Sequence, residues 1–118
     1  MEKKTIVQRI SKKDEDVLSH AQRYYYILSA INGLQLTKRE VQLTAFVAVR
    51  GNISYSNIRK EFCSMYSSSS PTINNIISKL KKKGVLVKIS SKVKVNPVIS
   101  LDFNKDVILE IKLLIDAD

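Results

Sequence analysis

Residues 67–96 read SSSSPTINNIISKLKKKGVLVKISSKVKVN, and the order of signals in this stretch decides the fold. Ser70 is a favoured N-cap type, and Pro71 follows at the first helical position, where its missing N–H costs nothing. Ile73, Ile76, Ile77 and Leu80 recur at i, i+3, i+4 and i+7, the spacing of one core-facing stripe. Asn75, Ser78 and Lys82 fall opposite that stripe, flanked by Asn74, Lys79 and Lys81. Gly84 stops the helix behind a lysine cluster. Residues 85–89 and 92–96 then read as the two strands of a hairpin. Val93 and Val95 alternate with Lys92 and Lys94, so one side is apolar and the other basic. The Ser90-Ser91 turn lacks glycine, which predicts a longer or irregular tip.

Three further helices are predicted before this stretch. A helix over 11–33 carries an apolar stripe of Val17, Ala21, Tyr24, Leu28 and Ile31, with Asp14, Glu15 and Asp16 complementing the dipole of its first turn. The next has the clearest start in the chain. Thr37 and Glu40 form a capping box, Leu36 and Val41 a hydrophobic staple, and Gly51 the stop. Residues 41–49 are almost wholly apolar, so this helix is expected at the centre of the core. A third starts at Ser54, with Ile58, Phe62 and Met65 as a narrow stripe and Arg59 and Lys60 off it. After the hairpin, Val107, Ile108, Ile111, Leu114 and Ile115 predict a last helix over 104–116.

The chain has 118 residues, which fits one domain. Its net charge is +9, concentrated in the middle: residues 37–94 hold twelve basic and two acidic side chains. Excess charge of one sign over one region favours a polyanionic partner. No apolar run approaches the roughly 20 residues that span a bilayer, so no membrane partner is expected. Residues 1–16 have no apolar segment of a secretory signal. Cys63 is the single cysteine, which excludes an internal disulfide and points to the cytoplasm.

Catalysis lacks its parts. The single histidine, His20, is expected on a solvated helix face, and Cys63 has neither a Cys-x-x-Cys partner nor a nearby histidine. There is no glycine-rich phosphate loop, since Gly33, Gly51 and Gly84 each follow a helix. We expect no enzyme, no metal and no cofactor.

Nucleic-acid binding has candidates at every step. Asn74 and Asn75 suit bidentate recognition of adenine, and Thr72 and Ser78 suit bases or phosphates. Ser68, Ser69 and Ser70 stand where free backbone N–H groups of a helix start attract a phosphate. Lys79, Lys82 and Lys83 would neutralise the DNA backbone, and Lys92 and Lys94 on the hairpin would grip a neighbouring strand.

Residues 36–89, LTKREVQLTAFVAVRGNISYSNIRKEF through SPTINNIISKLKKKGVLVKI, resemble the winged helix-turn-helix core of the multiple-antibiotic-resistance regulator (MarR) type. The shared pattern is helix, glycine, short helix, turn, then T-x-x-x-I-x-x-L-x-x-x-G and two hydrophobic residues. The resemblance implies Ser69, Thr72, Asn74, Asn75 and Ser78 on a recognition helix and Lys92 on the wing. Residues 96–103, NPVISLDF, look similar to segments of small plasmid and phage replication initiators. The expectation is therefore mainly α with a small β-hairpin, one winged-helix domain over 1–118, with its core at 36–96. It would act as a sequence-specific duplex-DNA binder and transcriptional regulator, dimeric through its first and last helices. The alternative is a phage or plasmid structural, assembly or replication-associated protein that uses the fold for protein or non-specific nucleic-acid contact, within a phage particle if structural.

Overall fold

A capping box sets the central helix. Thr37 Oγ1 accepts from the Glu40 N–H at 3.2 Å and Glu40 Oε1 accepts from the Thr37 N–H at 2.9 Å. Two donors that a helix start leaves orphaned are thereby satisfied. From there α2, Lys38–Arg50, runs through Val41, Leu43, Ala45, Phe46 and Val47, all buried. Thr44 is buried too, and its hydroxyl donates to the Glu40 carbonyl. Gly51 closes the helix at φ 97°, backbone that favours glycine.

The computed structural model describes residues 3–11 and 16–116, with side chains in the two long strands limited to 5–7, 108 and 110–114. Before α2 come β1, Lys3–Ser11, and α1, Val17–Asn32; after it come α3, Ser56–Tyr66, and α4, Ser70–Lys82. Strands β2, Leu86–Ile89, and β3, Lys92–Val95, pair antiparallel as a hairpin. A 3-10 turn, Pro97–Ile99, leads on to β4, Ile108–Asp116, which pairs antiparallel with β1. The described residues are thus mainly helical, with two separate two-stranded sheets among them.

One core joins the helices to the hairpin. Phe46 meets Phe62 edge-on at 5.4 Å, and α4 buries Ile73, Ile76, Ile77 and Leu80 as its stripe predicts. The hairpin adds Leu86 and Val95. On the far side, Phe103 inserts among Tyr24, Tyr25 and His20, at 5.5, 5.7 and 6.1 Å between ring centres. The buried Tyr25 hydroxyl donates to the Ile99 carbonyl at 2.8 Å, tying α1 to the turn after the hairpin, and burial pushes the phenol pKa up.

Several expectations change. The segment 104–116 is not a helix: its last nine residues are strand β4, held by nine rungs to β1. Val107, Ile108, Ile111 and Ile115 are β-branched, and a strand partner accommodates such residues better than a lone helix does. The first helix begins at Val17, because residues up to Ser11 are committed to β1. Asp16 is its N-cap, and the Ser19 N–H on its carboxylate lowers its pKa; Asp14 and Glu15 lie outside the described residues. The buried side of α1 is His20, Ala21, Tyr25 and Ser29, while Ile31 is exposed, since Phe103 and Ile99 pack on the Tyr25 side. His20 is therefore buried, not solvated. In α3, Met65 is exposed and Phe62 alone is fully buried. That helix starts at Ser56, because Asn52 Oδ1 captures the Ser54 and Tyr55 N–H groups in a turn of its own.

The hairpin tip is tight rather than long. Ser90 and Ser91 are the two loop residues, both left-handed, at φ 49° and 68°. Positive φ at both positions matches the twist of the strands, which glycine and asparagine usually satisfy at lower cost.

Candidate nucleic-acid interface

The surface around α4 is built by three anchors. Its own apolar stripe fixes the helix on the core. At its start, Ser69 caps the helix, one residue earlier than Ser70, by accepting from the Thr72 N–H; the two hydroxyls also meet at 2.9 Å. At its end, Lys83 turns back to α2. Its Nζ lies 3.2 Å from both Glu40 Oε1 and the Gln35 carbonyl. Glu40 is buried, so this pair locks the two helices together.

Glu40 gives a pH handle on that lock. Burial pushes its carboxyl pKa up, but hydrogen bonds from the Thr37 backbone and Lys83 outweigh burial and leave it below the ordinary 4.5. A depressed carboxylate adds stability that is complete above the unfolded value and is lost as pH falls through the folded one. We expect the melting temperature to fall below about pH 4.5, with Glu40→Gln flattening that fall and costing about 1–3 kcal/mol at pH 7, since its partner Lys83 stays within reach of water. Thermal melts between pH 3 and 7 check this; an unchanged acid limb in the variant would refute it.

The outward face of α4 carries Asn75, Ser78 and Lys82, flanked by Lys79 and Lys81, all exposed. Asn74 is exposed but already engaged: Arg59 Nη2 donates to its Oδ1 at 2.5 Å, while Arg59 Nε donates to the Ile53 carbonyl. The guanidinium thus clamps α3 to α4. Asn75 carries no such bond and is the freer amide. Ser68 is not presented outward, since its hydroxyl oxygen is buried. Lys83, engaged with Glu40, does not belong to the open face.

The hairpin is joined to the start of α3. The Ile53 N–H donates to the Val93 carbonyl at 3.0 Å, and the Val93 N–H donates to Ser54 Oγ at 2.7 Å. Lys92 lies over the Tyr55 ring, 5.1 Å from its centre, a cation–π contact. Lys94 lines a cleft with Val47, Gly51 and Pro97, against the end of α2 rather than beside α4. Two basic residues not among the predicted contacts join the surface instead. Arg59 and Lys60 line a cavity of about 360 Å³ with Ser56, Cys63 and Ser70, between α3 and the start of α4. Their position off the apolar stripe of α3 was the available signal. Arg50, by contrast, is neutralised by Glu61 at 2.6 Å.

Arg59 and Lys60 thus border the start of α4, whose outward face is polar and basic, and the hairpin is fastened to the start of α3. Among the described residues, no group of three His, Cys, Asp or Glu side chains is placed to hold a metal ion. No helix among them is long and apolar enough to cross a membrane. No family model matches the chain, and no significant similarity to a curated protein or a solved structure is found.

Proposed function

We propose that α3 and α4 form a helix-turn-helix, that β2 and β3 are its wing, and that the protein binds duplex DNA as a sequence-specific regulator. One observation carries this reading. Helix α4 buries Ile73, Ile76, Ile77 and Leu80 completely enough to be rigid, yet offers Asn75, Ser78, Lys79 and Lys82 to solvent. A helix that enters a major groove needs that division, an anchored back and a polar front. The clamp by Arg59 and the Ile53–Val93 rung keep helix and hairpin in fixed relation, as two-point contact with a duplex requires.

Roles follow from chemistry. Asn75 reads a base, its amide suited to adenine N6 and N7. Asn74 is a positioning residue that orders the Arg59 guanidinium at the α3–α4 junction. Lys79 and Lys82, with Lys60 across the cavity, meet phosphates. The wing contributes Lys92 and, at its exposed edge, Lys88.

The test is selection from a random duplex pool followed by substitution. Asn75→Ala is expected to cost about 1–3 kcal/mol on the selected site and to relax preference at one position. Lys79→Ala is expected to weaken selected and random duplexes alike. If selection enriches no site and neither variant changes binding to DNA, the surface serves another acidic partner and the regulatory reading fails.

A further inference from the structure

A dimer through the first and last helices is not available, because the last helix is strand β4. The outward side of α1 instead borders a cavity of about 440 Å³ against α2. That volume falls in the range of small-molecule pockets, about 300–1,000 Å³. The α1 wall is one helical line from Ser19 to Tyr26, at i, i+3, i+4 and i+7, and runs about 10 Å along the axis. The α2 wall begins with Lys38, the first residue of that helix.

The lining combines three kinds of surface. Leu36 and Val41 are apolar, and the Tyr26 ring, 67% exposed, adds a flat aromatic face. Gln22 and Gln42 bring carboxamides, and that of Gln22 is held by donation from its Nε2 to the Tyr66 hydroxyl at 2.8 Å. Arg23 on one helix and Lys38 on the other bring positive charge. Among the described residues that line the cavity there is no carboxylate.

Lys38 is the member that the fold does not explain. The first turn of a helix favours an anion and disfavours a cation. Its neighbour Arg39 has a structural reason to stand there, since its guanidinium donates to the Tyr66 carbonyl at 2.8 Å and lies over the Tyr66 ring. Among the described residues none bonds to the Lys38 ammonium, which is exposed.

We propose that this cavity binds a nucleoside monophosphate. The base stacks on the Tyr26 ring, a contact that any base can make. The carboxamides carry donor and acceptor together, as the edge of a base requires. Arg23 and Lys38 meet the phosphate, a dianion that suits two cations. Other small anions use less of the lining. An aromatic or acyl carboxylate has no use for either carboxamide, and one cation matches its charge. Inorganic phosphate leaves the aromatic and apolar surface wet.

Calorimetry of the full chain with AMP, GMP, CMP and UMP in turn, at low salt and without DNA, tests this. At least one is expected to bind with a dissociation constant below about 1 mM. Its parent nucleoside, inorganic phosphate and benzoate are each expected to bind at least about tenfold more weakly, because each lacks either the base or the phosphate. Tyr26→Ala and Lys38→Gln, both at exposed positions, are each expected to lower the affinity about tenfold with helical circular dichroism unchanged. Binding of none of the four nucleotides, benzoate held as tightly as the best of them, or full affinity in either variant would overturn the proposal. So would an affinity lost in Lys79→Ala but kept in Lys38→Gln, since that would put the nucleotide on α4. No duplex is present, so a failure here leaves the DNA reading standing, and a failed duplex selection leaves the cavity standing.

Discussion

Affinity for a random duplex is expected to fall by about 10³-fold between 50 and 200 mM salt. Binding to a polyanion releases condensed counterions, and log affinity falls with log salt at about −0.9 per phosphate neutralised. The basic side chains left available on or beside the α3–α4 surface and the wing are Lys60, Lys79, Lys81, Lys82, Lys88 and Lys92; Arg59 is held by Asn74 and the Ile53 carbonyl, and Lys94 lies in the cleft against the end of α2. About six contacts give a slope near −5, and a fourfold rise in salt raised to that power gives the expected loss. Lys83, bonded to Glu40, and Arg50, bonded to Glu61, stay outside the sum because their charges are already matched. Replacing Lys79 and Lys82 together by alanine is expected to make the slope shallower by about two. Fluorescence anisotropy of a labelled duplex across a salt series measures both. A flat response would remove the case for DNA, since a basic surface meeting phosphates has no means of avoiding the counterion effect.

The helices were legible in proportion to how local their signals are. The capping box of Thr37 and Glu40, the glycine stop at Gly51 and the four-residue stripe of α4 depend on residues within a turn or two of each other, and each is found in the structure. The segment 104–116 failed for the opposite reason. Its apolar residues fit a helical stripe, and they equally fit a strand with one wholly apolar side. The partner that decides between them, β1, lies about a hundred residues away in the chain. The hairpin tip failed because turn preference is weak against register. Four rungs and the Val93–Ser54 bond fix the strands, and Ser90 and Ser91 accept left-handed backbone as a consequence.

The candidate surface was legible as a face but not as a set of free side chains. Periodicity places Asn74, Asn75 and Ser78 outward, and all three are exposed. It is silent on what α3 brings across: Arg59 engages Asn74 and leaves Asn75 free, and Glu40 draws Lys83 away from the front. Long flexible cations are placed by tertiary partners, so equal lysines in a sequence become structural or available only once the helices are docked.

Removing the Phe62 ring is expected to have one of the two largest effects argued for this chain, a loss of stability centred on α3. Phe62 is the one fully buried residue that α3 contributes, edge-on to Phe46 at 5.4 Å and tilted against Tyr66 at 4.8 Å. Ile58, Cys63 and Tyr66 of that helix pack only partly against the core, so Phe62 is its deepest anchor. Truncating a fully buried phenylalanine costs about 3–5 kcal/mol, because the lost transfer energy and the cavity add. For a chain of this size that lowers the melting temperature on the order of 10–20 °C. Phe62→Leu fills most of the space and is expected to cost about 1–1.5 kcal/mol, which separates a packing loss from any special demand for an aromatic ring. The functional consequence is specific. With α3 loosened, Arg59 no longer holds Asn74, and the α3–α4 surface loses its fixed geometry while keeping every charge. Binding to a selected site should therefore weaken more than the charge-driven binding to random duplex, measured below the variant's melting temperature. Equal losses on the two duplexes would show that α4 reads DNA without support from α3, and a Phe62→Ala variant as stable as the wild type would show that α3 is anchored elsewhere.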